Sequence, residues 1–233
     1  MISIDTVYQR VLAILNKEQR GYLTPQEFNL FANQAQLEIF EQYFFDLGQF
    51  RRRKENNSEY SDLIKLTDEK LSVFKTSANL NYMTDHFHMP DNMHKLGTVI
   101  YQNMIEVEKT NNKDLLYLMS SPLAKPTNTT PVYIQQEANE LGHWAITVYP
   151  RSIQSNISCT YMRKPNDVNW AYTSVNGNAL YNANASNDFE IHPSEESSLV
   201  TKILGYAGFV IKDPGIIQTA DAKETKKITQ EKS

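Results

Sequence analysis

The apolar pattern of this chain changes its period twice, and that constrains the fold more than any other feature. Over residues 3–19 and 25–47, and again over 193–213, apolar residues return every three or four positions. Between about 63 and 192 they fall instead in short runs broken by turn residues. Ile4, Val7, Tyr8, Val11, Leu12 and Leu15 form the stripe of a first helix, which Gly21 is placed to end. Thr24-Pro25-Gln26-Glu27 then has the form of a helix start, with Thr24 as N-cap, Pro25 in the first turn and Glu27 reaching back. The second helix continues to about Leu47 and pairs with the first as an antiparallel hairpin. Its apolar surface is wider than one partner helix covers. Phe28, Phe31, Phe40, Tyr43 and Phe44 are therefore expected to serve a contact outside the hairpin.

Arg51 to Asp62 breaks both periods and reads as a polar linker. Beyond it, 71–74, 95–107, 132–136, 143–149 and 157–162 read as strands, with Glu140-Leu141-Gly142 as a hairpin loop. Asn112 to Met119 reads as a short helix and Ser121 to Pro131 as a loop, and Asn176-Gly177 is a two-residue hairpin signal. Pro193 and Ser194 open a last helix that Pro214 stops. The order of helices, then strands, then a helix gives an α+β chain with segregated elements. Its expected parts are a helical hairpin (1–50), a linker or loop (51–62), an antiparallel β-rich region (63–192), a helix completing the helical part (193–213) and a docking tail (214–233). Ile216 and Ile217 are the tail's apolar anchor.

Composition removes several functional classes. A net charge of -4 disfavours wholesale nucleic-acid binding, which needs a basic surface. Arg51-Arg52-Arg53-Lys54 is the only basic run, available for DNA or an acidic neighbour. Cys159 is the single cysteine, which excludes an intramolecular disulfide and a cysteine-based zinc site. The start of the chain does not read as a signal peptide, so synthesis in a cytoplasm is expected. No run approaches the roughly 20 apolar residues of a membrane-spanning helix. Eight glycines are few for phosphate-cradling loops, whereas 13 tyrosines suit contact surfaces.

The motifs that imitate chemistry have simpler readings. Asn16 to Glu27 carries glycine sixth and glutamate twelfth, as a calcium loop does, but Arg20 stands where an oxygen should coordinate. Helix capping already explains Gly21 and Glu27. His86 and His88 would share a strand face, and with His94 could serve a metal-dependent hydrolase, yet no acid completes a ligand set. Asp91 with Glu106-Val107-Glu108-Lys109 misses the acid-x-lysine spacing of metal-dependent nucleases by one position. Glu195 and Glu196 favour a helix start. No catalytic set is expected, and no metal or cofactor.

The aromatic second helix, TPQEFNLFANQAQLEIFEQYFFDL, with TVYPRSIQSNISCTYMRKPNDVNWAY and DFEIHPSEESSLVTKILGYAGFVIKDP, resembles virion structural proteins of short-tailed bacteriophages. The likeness is to the ring or adaptor proteins of crAss-like phages and covers most of the chain. It implies a non-enzymatic head-to-tail connector: a twelve-fold ring of copies of this chain, stacked below the portal protein and beside other neck or tail rings. The ring would enclose a lumen for genome passage, with non-specific DNA contact. A fibre-docking or receptor-facing tail protein is the alternative.

Overall fold

The chain is α+β, as its pattern requires. The computed structural model describes residues 1–17, 23–52, 58–137, 144–176, 178–211 and 214–232. It divides into a helical unit, Met1–Val73 with Pro165–Ser233, and a β unit, Phe74–Lys164, inserted into it.

In the helical unit, helix α1 spans Ile4–Lys17, α2 Pro25–Arg52 and α3 Ser58–Ser72. The start of α2 is the expected capping box. Glu27 N–H donates to Thr24 Oγ1 at 3.3 Å, and Thr24 N–H donates to the Glu27 carboxylate at 3.0 Å. The side-chain and then the backbone hydrogen bond from Thr24 hold the Glu27 carboxyl below its usual range. Two expectations are corrected here, since the described residues of 51–62 are helix, 51–52 ending α2 and 58–62 opening α3, and 71–74 is not a strand. Polar residues 51–62 show no apolar period, so the helix owes its place to tertiary contacts further along. Leu71 is buried, and Lys70 pairs with buried Glu195 at 2.6 Å.

Helix α5, Glu196–Ile211, follows a 3-10 turn at Pro193–Glu195. The expected tail is in fact helix α6, Pro214–Lys232, with Pro214 opening a helix as well as following one. It folds back on α5, where Ala220 is buried 3.6 Å from the position a Cβ on Gly205 would take. Ile216 and Ile217 lie in its first turn, with side chains outside the described set.

The β unit holds β1 Lys75–Asn79, β2 Asn81–Met83, β3 His86–His88, β4 Met93–Tyr101, β5 Ile105–Lys109, helix α4 Asn112–Ser120, β6 Val132–Glu137, β7 Trp144–Tyr149 and β8 Ile157–Arg163. Strand order is β1-β8-β4-β5-β6-β7-β3-β2, antiparallel except for the β5–β6 pair. The two ends of that order, β1 and β2, are separated in the chain by Leu80 alone, whose N–H continues the ladder to Ile157 O at 2.9 Å. Residues 75–83 are thus one extended run that pairs with β8 through its first half and with β3 through its second. The sheet closes on itself as a small barrel. Phe87, Val99, Val107, Tyr133, Ile146, Val148, Ile157 and Cys159 fill its core.

The reading of 95–107 as one strand is corrected to two, β4 and β5, joined by a turn with Gln102 and Asn103 at positive φ. No glycine or proline marks that turn. Helix α4 sits where expected and covers β6, so Leu115 packs with Val132 and Ile134 while Tyr133 faces the barrel core. Burial on both faces explains why β6 and β7 read as apolar runs without alternation.

Candidate interaction surfaces

Helix α2 is the centre of the helical unit, and its aromatic residues are spent there. Phe28 and Phe40 are fully buried and Tyr43 nearly so; Phe28 lies 4.7 Å from the Tyr8 ring of α1, and Lys70 of α3 sits over Tyr43. Phe31 and Phe44 are half-buried, Phe31 facing Tyr206 of α5 and Phe44 standing edge-on to Phe40. The surplus apolar surface expected to face a partner is therefore covered by α1, α3 and α5 of the same chain. What α2 exposes is a different set. Over its described side chains, only Gln26, Leu30, Gln34, Leu37, Glu41 and Phe45 are exposed, one residue per turn in a single line. Leu30 is 70% exposed and Phe45 57%.

A face of α2 flanking that line does something its sequence does not advertise. Asn29, Asn33 and Gln36 project amides one turn apart along the extended segment 166–170. The Asn33 amide donates to Val168 O and accepts from Val168 N–H at 2.9 and 2.8 Å. Asn29 treats Trp170 the same way, at 3.3 and 2.8 Å. Gln36 donates to Asn166 O at 2.8 Å and accepts from Glu190 N–H at 3.1 Å. Helix side chains thus take the place of a neighbouring strand, satisfying alternate residues of the segment. The buried Glu190 carboxylate closes the network by accepting from Asn166 N–H and Nδ2. Trp170, fixed by this ladder and by its Nε1–H donated to Asp5 at 3.0 Å, stacks on Tyr172 and Tyr181. Those two belong to the hairpin of strands β9, Tyr172–Val175, and β10, Asn178–Tyr181, expected from Asn176-Gly177. Asn176 has the positive φ of such a turn, and Gly177 lies outside the described residues.

A charged cluster ties α6 to α5 and α2. Lys202 reaches Glu224 at 2.5 Å and Glu38 at 3.2 Å, and the Tyr206 hydroxyl donates to Glu38. Burial works to raise the Glu38 carboxyl, but hydrogen bonds from Tyr206, Gln34 and Lys202 outweigh it and the carboxyl is lowered. Burial works against the Lys202 ammonium, yet Glu224 and then Glu38 leave it raised. Burial, then Glu38, raises the Tyr206 phenol.

In the β unit the apolar exposure gathers on α4 and the loop after it. Leu116 is 71% exposed and Leu123 99%, with Tyr117 and Met119 exposed beside them. A separate open groove of about 530 Å³ runs over β4, β5 and β6, with Lys95, Glu106, Glu108, Lys109 and Gln135 along it and half-exposed Trp144 at one side. Of the nuclease-like residues, Glu106, Glu108 and Lys109 line this groove and Asp91 does not. Lys109 donates to Gln135 at 3.0 Å, while Glu106 and Glu108 are exposed.

His86 and His88 do share a face of β3, their rings 4.8 Å apart, whereas His94 belongs to β4, which does not neighbour β3. Among the described residues no three His, Cys, Asp or Glu side chains gather around a possible metal ion. The Glu27 of the calcium-loop imitation is committed to Thr24, and residues 18–22 lie outside the described set. Burial pushes the Cys159 thiol up to about 11, which leaves it unreactive. Arg51 and Arg52 end α2, with side chains outside the described set, as are Arg53 and Lys54 altogether. No described helix is long and apolar enough to cross a membrane. No protein-family model matches the chain, and no curated protein matches it.

Proposed function

We propose that the chain is a non-enzymatic virion subunit that forms an oligomeric ring in the portal–tail assembly of a short-tailed bacteriophage, with a lumen for genome passage. One observation supports this above the others: each unit exposes its own apolar surface, the α2 line in one and the α4 surface in the other. A ring joins unlike patches of successive copies, so a subunit needs two of them. Exposed apolar residues that gather on one face mark candidate interaction sites. The resemblance to phage ring proteins supplies the assembly, the portal and neighbouring rings as partners, and the virion as the place. The basic run 51–54 is the segment we assign to non-specific contact with DNA. Electron-microscope class averages of the purified protein, alone and mixed with portal, test the reading. Closed rings with a central hole are the expected outcome, and only single subunits in both samples would sink it.

A second reading, a fibre-docking or receptor-facing tail protein, is favoured by the groove beside Trp144. An exposed aromatic ring next to convergent polar groups suits a small polar ligand or chain end. Trimeric particles in place of rings would favour it.

A further inference from the structure

The exposed line of α2 carries a charge as well as an apolar character. From Pro25 to Gly48 the charged residues are Glu27, Glu38, Glu41 and Asp46, all acidic. Glu27 is engaged by Thr24 and Glu38 by Lys202, and both keep their negative charge. Glu41 lies on the exposed line between Leu37 and Phe45. Across Asn112 to Pro131 the charges are Lys113, Asp114 and Lys125, all three exposed, so the α4 surface carries one net positive charge. Lys113 stands one turn before Tyr117, with Leu116 beside it, so a cation lies among the exposed apolar residues of that short helix.

We propose that the α2 line of one copy docks on the α4 surface of the next, with Leu30, Leu37 and Phe45 against Leu116, Tyr117 and Leu123, and Glu41 facing Lys113. This rests on the ring reading and names the contact through which the ring would close. Apolar area supplies the attraction, and the exposed charges set which surface meets which. Two α2 lines meeting would bring Glu41 of each copy together, which disfavours a two-fold pairing through α2.

Mixing experiments separate the two claims. Leu30→Asp with Phe45→Asp removes one surface, and Leu116→Asp with Leu123→Asp removes the other. All four side chains are exposed, so both variants should keep the wild-type circular dichroism. Each alone should sediment as a monomer at concentrations where wild type associates. Mixed one to one, they should form a species of dimer mass and nothing larger, because each keeps one complementary face. As a gentler variant, Glu41→Lys should weaken wild-type association severalfold at low salt, and adding Lys113→Glu to the same chain should restore it. The docking is overturned if either apolar variant associates like wild type, if the mixture stays monomeric, or if the charge reversal is not rescued. Dimers in the mixture, with open chains of wild type in place of closed rings, would keep the docking and remove the ring reading. Wild type that stays monomeric throughout removes both.

Discussion

Asn33 shows how much a single amide can carry. It satisfies both backbone groups of Val168, so truncating it leaves a donor and an acceptor without partners in a partly buried place. Asn33→Ala is expected to cost about 1–3 kcal/mol in urea unfolding, the penalty of orphaned polar groups. Asn33→Asp keeps the acceptor for Val168 N–H but sets a carboxylate against the carbonyl, and should recover none of the loss that depends on the donor. Glu38 and Lys202 make a second residue-scale prediction, read in pH. The folded Glu38 carboxyl is lowered, so its stabilisation is present above the ordinary carboxylate value and is lost as pH falls through the lowered one. The folded Lys202 ammonium is raised, so its stabilisation is present below the ordinary lysine value and is lost as pH rises through the raised one. Melting temperature should therefore form a plateau between those limits. Glu38→Gln should flatten the acid limb, and Lys202→Met the alkaline limb; profiles unchanged in shape would show that the cluster is not coupled to folding.

Two elements test whether local geometry is set as described. Thr24→Ala removes the N-cap of α2 and should destabilise by about 1 kcal/mol, with Thr24→Ser close to wild type. In β4, Gly97 lies within the second of two register shifts against β8, the one between Leu96 and Val99, and a Cβ there would lie 2.8 Å from Thr160 O, a backbone atom that cannot swing aside. Gly97→Ala should cost about 1–3 kcal/mol and shift the amide resonances of β8, as overpacking does.

The same elements mark what the sequence makes legible. Thr24-Pro25-Gln26-Glu27 and Asn176-Gly177 act through neighbours in the chain, so their structures follow from their letters. The stripe of α1 and the apolar runs of β6, β7 and β8 are plain in the letters, whereas the polar strands β1 and β2 are not. Helix α3 and the β4–β5 turn do not, because one depends on Lys70 finding Glu195 and the other bends at Gln102 and Asn103. The burial of the α2 aromatics is hidden for a similar reason. Phe28 and Phe40 are apolar whatever covers them, and only the fold tells that both are buried within this chain, Phe28 beside Tyr8 of α1. Leu30 and Leu37 stand on the exposed line, whereas Asn29, Asn33 and Gln36 lie off it and mark a different, hydrogen-bonded face.

At the scale of the whole molecule, the β unit is an insertion whose ends come out side by side. Chain entry and exit are paired, with Arg163 N–H donating to Phe74 O at 3.0 Å and Lys75 opposite Met162. A fragment of residues 74–164 has its own core and a closed sheet, and should fold alone with a cooperative thermal transition. A fragment with strand content by circular dichroism but dispersed, non-cooperative melting would show that the barrel needs the helices. The helical unit has the reverse dependence. Ile2 exchanges backbone hydrogen bonds with Phe189, Asp5 accepts from Trp170, and Ile4 N–H donates to Asp188. During synthesis α1 and α2 thus lack their partners from residues 165–211 until the β unit has been made. The usual order, in which what emerges first folds first, is inverted for this chain: the middle can finish while both flanks wait, and an apolar α1 and α2 must stay clear of other nascent copies until the last third arrives.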